Sequence, residues 1–317
     1  MMYIGVDIGG TNTEIGIVDE QGKLVAHDVI KTRVYHTACD YVDAATKAIL
    51  VLSEQVGGLG YIVGVGIGAP AANYYEGTIE YAANLLWAHD TKVPLADMFS
   101  QRLGKPVRVT NDANTVAIGE MYHGAAKGMK NFIVLTLGTG VGSGIVVNGQ
   151  LVYGYDGFAG ELGHMQVIWD GGRPCGCGQS GCLETYCSAT GVARTAREFL
   201  SSTHKQSLLR NIDAEKITSK DVFDAALDGD SLASDIFNYT GEILGRACAG
   251  FATFCSPEAY IFFGGLAHAG ELLLEPIRRS YDARVLSLYR GKAKFLLSGL
   301  DGATAAILGA SALCRMP

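Results

Sequence analysis

One pattern occurs twice in this chain of 317 residues and restricts the folds that the chain can adopt. Residues 3–25 and residues 132–152 each read as a strand, a glycine-rich turn and a second strand. When the two copies are overlaid, Asp7 falls on Thr136. The copies lie too far apart for a solenoid repeat. We interpret them as the opening units of two domains whose turns face each other across a cleft, with chance similarity between hairpins as the alternative.

The segments around these copies alternate between strand and helix patterns. Apolar residues at helical spacing occupy residues 38–56, and a buried-strand pattern at residues 61–70 ends at Pro70. We expect further helices at residues 186–200, 232–254, 271–288 and 303–314, and strands at the starts of residues 107–125 and 259–270 and at residues 294–298. The polar residues 203–230 are left unassigned. Such alternation favours an α/β architecture.

Composition and charge argue against several classes of protein. The net charge of −7 opposes general affinity for nucleic acid or anionic membranes. No apolar run reaches the length of a membrane span, and the first residues carry no signal-peptide pattern. We therefore expect a cytoplasmic protein that binds neither nucleic acid nor membrane. In a reducing cytoplasm, clustered cysteines favour metal binding over disulfides.

Both glycine-rich turns are suited to holding phosphate. In DIGGT, residues 7–11, two glycines let backbone N–H groups point at one anion, while Thr11 and Thr13 offer hydroxyls. Asp7 can hold the water shell of Mg²⁺. GTGVGSG at residues 138–144 offers a similar nest. Neither the dinucleotide fingerprint nor a P-loop fits these spacings, and a plain turn is the alternative for either copy alone.

Several acids and amides follow predicted strand ends or turns. Asn111 and Asp112 end a predicted strand just before a helix, where Asp112 is placed to abstract a proton; capping that helix is its alternative role. Glu161 and His164 lie three residues apart, and Glu184 follows the cysteines. Together these groups suit a substrate that carries many hydroxyls. A plain core or surface role is the alternative for each.

Three cysteines lie within eight residues of the stretch RPCGCGQSGCL at residues 173–183. We call residues 174–182 the cysteine loop. With one histidine the thiols form the closed Cys₃His set typical of structural zinc. We predict the ligands His164, Cys175, Cys177 and Cys182, with Cys187 as a rival. The metal would order a glycine-rich loop and fix the imidazole, whose other nitrogen could meet a substrate hydroxyl. The remaining cysteines are expected in the core: Cys39, Cys248, Cys255 and Cys314.

Seven segments occur in the order seen in the ROK family of bacterial sugar kinases and repressors, which the chain resembles over its whole length. They are DIGGT, GIGAP, NLLW, NDAN, LTLGTGVGSGI, GELGHM and CGCGQSGCLE. The resemblance implies an α/β fold with two actin-like (ribonuclease H-like) domains flanking a cleft. We assign residues 1–115 and 303–317 to the smaller domain, and residues 116–302 to the larger domain with the cysteine loop.

The resemblance also implies phosphoryl transfer from ATP, with Mg²⁺, to the 6-hydroxyl of a hexose, and it makes Asp112 the general base. The implied sugar contacts are Gly68, Asn84, Asn111, Asp112, Glu161, His164 and Glu184. The implied nucleotide and phosphate contacts are Asp7, Gly9, Gly10, Thr11, Gly138, Thr139, Gly140, Gly264 and Gly265. Asn12 stands where the family usually has a basic residue.

Family repressors carry a DNA-binding winged helix before the kinase-like part, whereas Met1 here leads directly into the first strand. We therefore expect a kinase; a catalytically silent sugar sensor is the alternative that Asp112 and both turns argue against. Glucose is the expected substrate because GELGHM and NLLW are most similar to those of family glucokinases. Mannose, allose, fructose, N-acetylmannosamine and N-acetylglucosamine stay open, and we expect a homodimer or a higher homo-oligomer.

Overall fold

Two five-stranded sheets with the same strand order form the framework of the protein. The computed structural model describes residues 1–300 and 302–315, without the side chain of residue 303. Its strands are β1 (Met2–Ile8), β2 (Asn12–Asp19), β3 (Leu24–Lys31), β4 (Ile62–Ala69), β5 (Ala72–Asn73), β6 (Thr78–Glu80), β7 (Lys92–Val93), β8 (Val107–Asn111), β9 (Phe132–Leu137), β10 (Val141–Val147), β11 (Gln150–Leu151), β12 (Ala259–Phe263) and β13 (Lys294–Leu297). Its helices are α1 (Ala38–Glu54), α2 (Leu95–Leu103), α3 (Asp112–His123), α4 (Glu184–Cys187), α5 (Ala189–Ser202), α6 (Ser219–Leu227), α7 (Ser231–Cys255), α8 (Glu271–Arg284) and α9 (Gly302–Leu313). Among the described residues, no helix is both long enough and apolar enough to cross a bilayer.

The two sheets repeat one topology. The first has the order β3-β2-β1-β4-β8 and the second the order β11-β10-β9-β12-β13. In each, three strands form antiparallel hairpins and two more run parallel to the central strand. Asp7 pairs with Gly68 in the first sheet, and Thr136 pairs with Phe263 at the equivalent place in the second. The internal repeat and the α/β class predicted from the sequence are confirmed.

Most predicted elements are confirmed to within a few residues. The helix predicted at residues 186–200 is divided into α4 and α5, because Ser188 takes extended backbone angles and caps α5. The helix predicted at residues 271–288 is shorter, since α8 ends at Arg284. The unassigned residues 203–230 hold short 3₁₀ turns and α6.

Helix α9 covers one face of the first sheet at very close range. A β-carbon at Gly5 or Gly66 would overlap a backbone carbonyl of α9. Glycine usually weakens a strand interior, so this close approach explains why two strands carry it. Ile4 and Val6 alternate with Gly5 and face the opposite core, beneath α1 and α2.

Helix α3 lies between the two sheets. It contacts α9 on the side of the first sheet and β9 and β10 of the second. Because Asp112 begins α3, this helix carries the residue into the gap between the sheets. The predicted division into residues 1–115 plus 303–317 and residues 116–302 falls within α3 and stays a prediction. Residues 301, 316 and 317 of those segments lie outside the described residues.

A contact of tyrosines also joins the two halves of the chain. Tyr74, which follows β5, stacks on Tyr153, which follows β11, with ring centres 4.0 Å apart. The Tyr75 hydroxyl donates to the carbonyl of Gly154 at 3.0 Å. The segment after β11 is therefore held against the β5–β6 hairpin. We call this contact the tyrosine tie.

We expect Gly66→Ala to destabilise the fold by at least about 2 kcal/mol, because the added methyl group would push against the rigid carbonyl of Ala310. Urea unfolding followed by circular dichroism measures this change. Gly60→Ala is the matched control, since a β-carbon at Gly60 meets no atom within 4 Å. Equal stability of the two variants would contradict the packing of α9 described above.

Candidate active site and metal centre

A cleft of about 610 Å³ lies between the sheets, where the ends of their central strands meet the start of α3. Its lining combines acids, amides and turn backbone: Pro70, Ala71, Asn84, Asn111, Asp112, Thr136, Gly138, Gly140, Val141, Gly142, Ser143, Phe158, Glu161, His164, Glu184, Phe263 and Gly264. The side chains predicted for sugar contact thus share one cavity. Gly68 differs, because it is buried within β4 against Thr115.

Asp112 is the first residue of α3, and Asn111 rather than Asp112 is the N-cap. The Asn111 side-chain oxygen accepts from the backbone N–H of Ala113 at 2.9 Å, and Asp112 Oδ1 accepts from the same group at 2.7 Å. The capping role considered for Asp112 therefore belongs to its neighbour. The Asp112 carboxyl opens into the cleft, yet the surrounding protein removes part of its hydration and raises its pKa.

The acids around the cleft repel one another. Loss of hydration, then the charges of Asp112 and Glu14, raise the pKa of Asp7 to about 7. Burial, with the charges of Asp112 and Glu184, also raises the pKa of Glu161, although His164 opposes this shift. Such a concentration of carboxylates is relieved by a cation or by hydroxyl donors. The donor set near Asp7 therefore fits a hard cation such as Mg²⁺.

The first glycine turn, residues 9–12, packs directly against the cleft wall. Gly9 N–H donates to the carbonyl of Asn12 at 3.0 Å and closes the turn. A β-carbon at Gly10 would lie 3.0 Å from the backbone oxygen of Asn84, so the turn and this cleft residue are in contact. Lys31 Nζ donates to Asn12 Oδ1 at 3.0 Å and brings a positive charge beside the turn.

The hydroxyl of Thr13, expected to face an anion, is not available to one. It is buried and hydrogen-bonds to Thr32 Oγ1 at 2.8 Å and to Tyr41 Oη at 2.9 Å. Position 13 lies on β2, where alternate side chains face the core. Thr11 is exposed and keeps its hydroxyl free of any such buried network.

The second glycine turn, residues 138–140, is fixed by α5 and by Glu184. The carbonyl of Gly138 accepts from Ala189 N–H at 2.8 Å, and that of Thr139 accepts from the Thr190 hydroxyl at 2.8 Å. Glu184 Oε2 accepts from Val141 N–H at 3.1 Å. A side chain at position 140 would collide with that carboxylate, which explains the glycine there.

A second cavity, of about 340 Å³, lies beside a third glycine turn, residues 264–265. Gly265 borders this cavity, whereas Gly264 lines the cleft and takes φ of 100° beneath Leu137. Phe223 and Phe237 give the cavity apolar walls. Neither residue was predicted from the sequence, because Phe223 lies in the unassigned residues 203–230 and Phe237 lies in a predicted helix, where it resembles an ordinary core residue.

The cysteine cluster is confirmed. The four ligand atoms lie within 4.8 Å of one another and belong to His164, Cys175, Cys177 and Cys182. His164 Nδ1 is 3.7 Å from Cys175 Sγ, and the sulfurs of Cys177 and Cys182 are 3.7 Å apart. Zinc bonded tetrahedrally to sulfur at about 2.3 Å places the sulfurs about 3.8 Å apart, so the cluster fits zinc.

The other cysteines follow the expectation only in part. The rival Cys187 is buried away from the cluster and its thiol donates to the carbonyl of Thr240. Cys248 is buried as expected, and Cys255 and Cys314 are partly buried. Cys39 is exposed, so its predicted core position is wrong; it lies on a solvent-facing position at the start of α1.

One short turn carries both His164 and Glu161 into the cleft. The 3₁₀ turn Leu162–His164 follows Glu161 directly, and a β-carbon at Gly163 would overlap the carbonyl of Val141. The Ser143 hydroxyl donates to Gly160 O and accepts from Leu162 N–H at 3.2 Å. Ser143 therefore fixes this turn to β10, a role that its place in GTGVGSG could have suggested.

The raised pKa of Asp7 has a consequence for stability. An unfolded Asp has a pKa near 4, so between about pH 4 and pH 7 the folded protein binds more protons and its free energy of unfolding falls as pH rises. Asp7→Asn should remove this loss and stabilise the protein by about 1–3 kcal/mol at pH 8, with little gain near pH 3.5. Urea unfolding in Mg²⁺-free buffer tests this. Asp97→Asn, exposed in the first turn of α2, is the control, and a gain independent of pH would contradict the assignment.

The chain is similar to known proteins over nearly its whole length. The sequence matches the ROK family over residues 3–316. It is 39% identical to a glucokinase of Halalkalibacterium halodurans (99% of this chain, 94% of the relative) and 36% identical to a glucokinase of Thermotoga maritima (99% and 98%). The structure of a ROK family glucokinase from Streptomyces griseus in complex with glucose and AMPPNP is similar, with a TM-score of 0.79 and 37% identity over 99% of both chains. The chain therefore belongs to the ROK family.

Proposed function

We propose that the protein is an ATP-dependent glucokinase that transfers the γ-phosphoryl group of ATP to the 6-hydroxyl of glucose. The observation that carries this proposal is the position of Asp112, in a cleft bordered by two glycine turns and by the Cys₃His cluster. The full-length identity of 36–39% to glucokinases supports the choice of reaction and sugar.

The sugar is proposed to lie among the acids and amides of the cleft: Asn84, Asn111, Asp112, Glu161, His164 and Glu184. Carboxylates accept hydrogen bonds from hydroxyls, and the amides can both donate and accept. His164 turns Nδ1 toward Cys175, which leaves Nε2 as the nitrogen for a sugar hydroxyl. Zinc held by the cluster would fix the tautomer and orientation of this ring. Gly68 lies in β4, which pairs with β8, the strand that ends at Asn111, so it supports the cleft from the sheet.

Asp112 is the proposed general base. It would accept the proton of the 6-hydroxyl as that oxygen attacks the γ-phosphorus. The partial loss of hydration that raises its pKa makes it a stronger proton acceptor than a fully hydrated carboxylate. The first turn of α3 holds the carboxyl in place through Ala113 N–H, so little reorganisation accompanies the transfer.

The nucleotide is proposed to extend from the cleft toward the second cavity. Phosphates would meet Gly9, Gly10, Thr11, Gly138, Thr139 and Gly140, and the ribose side would pass Gly264 and Gly265. The apolar walls at Phe223 and Phe237 suit an adenine ring. Asp7 would hold Mg²⁺ through its water shell, and the bound ion neutralises phosphate charge. We further propose a cytoplasmic location, where thiolate ligands stay reduced, and a homo-oligomeric state.

We expect Asp112→Asn to lower kcat by at least about a thousandfold while glucose still binds, because the amide keeps the shape of the side chain but cannot take the proton. Coupled ADP release measures kcat, and calorimetry measures glucose affinity. Asp97→Asn, likewise in the first turn of a helix, should retain full activity. A kcat for Asp112→Asn close to that of the wild type would show that the base is another group.

The same assay with a panel of hexoses tests the substrate. Glucose should give the highest kcat/KM, above mannose, allose, fructose, N-acetylglucosamine and N-acetylmannosamine. A higher value for another sugar would replace glucose in the proposal, and absence of turnover with every sugar would favour a sugar sensor.

We expect one zinc per chain, and Cys177→Ser to lose both zinc and glucose affinity, because the hydroxyl replaces a thiolate ligand and frees His164. Metal analysis and calorimetry measure the two losses. Cys39→Ser, which removes an exposed cysteine outside the cluster, should retain both. Freshly purified wild type without zinc would refute the metal site.

A further inference from the structure

We propose that Arg173 is a positioning residue that sets the geometry of the cysteine loop and, through it, the orientation of Glu184. This inference rests on the proposed glucokinase function. Arg173 is not one of the four residues of the metal cluster, and it was not predicted as a site residue from the sequence.

The guanidinium of Arg173 is buried, with 5% of the residue exposed, and every side of it has a partner. It forms an ion pair with Glu198, 2.5 Å from Nη2 to Oε2. Nη1 donates to the carbonyl of Thr185 at 2.7 Å, and Nη2 donates to Thr195 Oγ1 at 2.8 Å. The group also lies over the Tyr186 ring, 4.4 Å from its centre. These contacts connect the residue to both α4 and α5.

The backbone of Arg173 closes the cysteine loop at its base. Its N–H donates to the Tyr186 hydroxyl at 2.9 Å, and its carbonyl accepts from Gly181 N–H at 2.8 Å. Gly181 directly precedes the ligand Cys182 and takes φ of 79°, a conformation that favours glycine. One residue thus joins the beginning of the loop to its end without any contribution from the metal.

The hydrogen bond from Arg173 to the Thr185 carbonyl connects the base of the cysteine loop to the cleft. Thr185 follows Glu184, whose Oε2 accepts from Val141 N–H beside the second glycine turn. Glu184 Oε1 is also 3.5 Å from the Cys175 thiol. Fixing the carbonyl of residue 185 therefore fixes the start of α4, from which Glu184 reaches into the cleft. Glu198, Thr185 and Thr195 are bound by Nε, Nη1 and Nη2, and a lysine ammonium, whose donors share one nitrogen, cannot reproduce this planar spread.

Removal of the guanidinium should loosen the loop while the rest of the fold stays intact. We expect Arg173→Met to release zinc to a chromogenic chelator at least about tenfold faster and to raise the glucose KM about tenfold, since outer partners of a metal site typically change affinity by 10- to 100-fold. The KM for ATP should rise less than the KM for glucose, because Glu184 contacts only one of the three glycine turns proposed to bind the nucleotide. Arg173→Lys should show a smaller change in the same direction.

Arg194→Met is the matched control. Arg194 Nε also pairs with Glu198, at 3.1 Å, but its hydrogen bonds do not reach the cysteine loop. Its zinc release and glucose KM should equal those of the wild type. If folded Arg173→Met, judged by its melting temperature and circular dichroism, releases zinc at the wild-type rate with an unchanged glucose KM, the proposal is wrong. If that variant does not fold, Arg173→Lys decides between the two outcomes.

Zinc release needs no kinase activity, so the two proposals fail in different ways. Fast zinc release from Arg173→Met in a protein that phosphorylates no hexose would retain the positioning role and reject the glucokinase. Zinc release from Arg173→Met at the wild-type rate, together with glucose phosphorylation by the wild type, would reject the positioning role and retain the glucokinase.

Discussion

The hydrogen bond from Val141 N–H to the Glu184 carboxylate connects the second glycine turn to helix α4. This turn is proposed to hold phosphate, and α4 directly follows the cysteine loop. The hydrogen bond is possible only because position 140 has no side chain. The Cys₃His cluster is therefore connected to the second glycine turn through the carboxylate of Glu184.

The cleft concentrates negative charge at a cost in stability. Asp7, Asp112 and Glu161 all have raised pKa values, and mutual repulsion contributes to two of these shifts. A folded protein retains such repulsion where its function needs the charges. Substrate hydroxyls and a metal ion would relieve it, so the same groups that weaken the free protein strengthen the complex.

Local patterns were sufficient to predict the repeat, the positions of most elements and the Cys₃His set. Strand–turn–strand units and closely spaced thiols are short-range signals, and chain geometry leaves them few arrangements. The errors concern side chains whose partners lie far away in sequence. Thr13 is buried by Thr32 and Tyr41, and the importance of Arg173 depends on Glu198, 25 residues later. No pattern near either residue indicates those partners. Cys39 was misplaced because an apolar neighbourhood does not reveal which face of a helix a residue occupies.

The tyrosine tie limits how the cleft can change shape. Tyr74 and Tyr153 bind the two halves at one edge, and α3 lies between the sheets at its floor. Any change in the separation of the two sheets at that edge therefore has to break the ring stacking of Tyr74 on Tyr153 and the hydrogen bond of Tyr75 to Gly154.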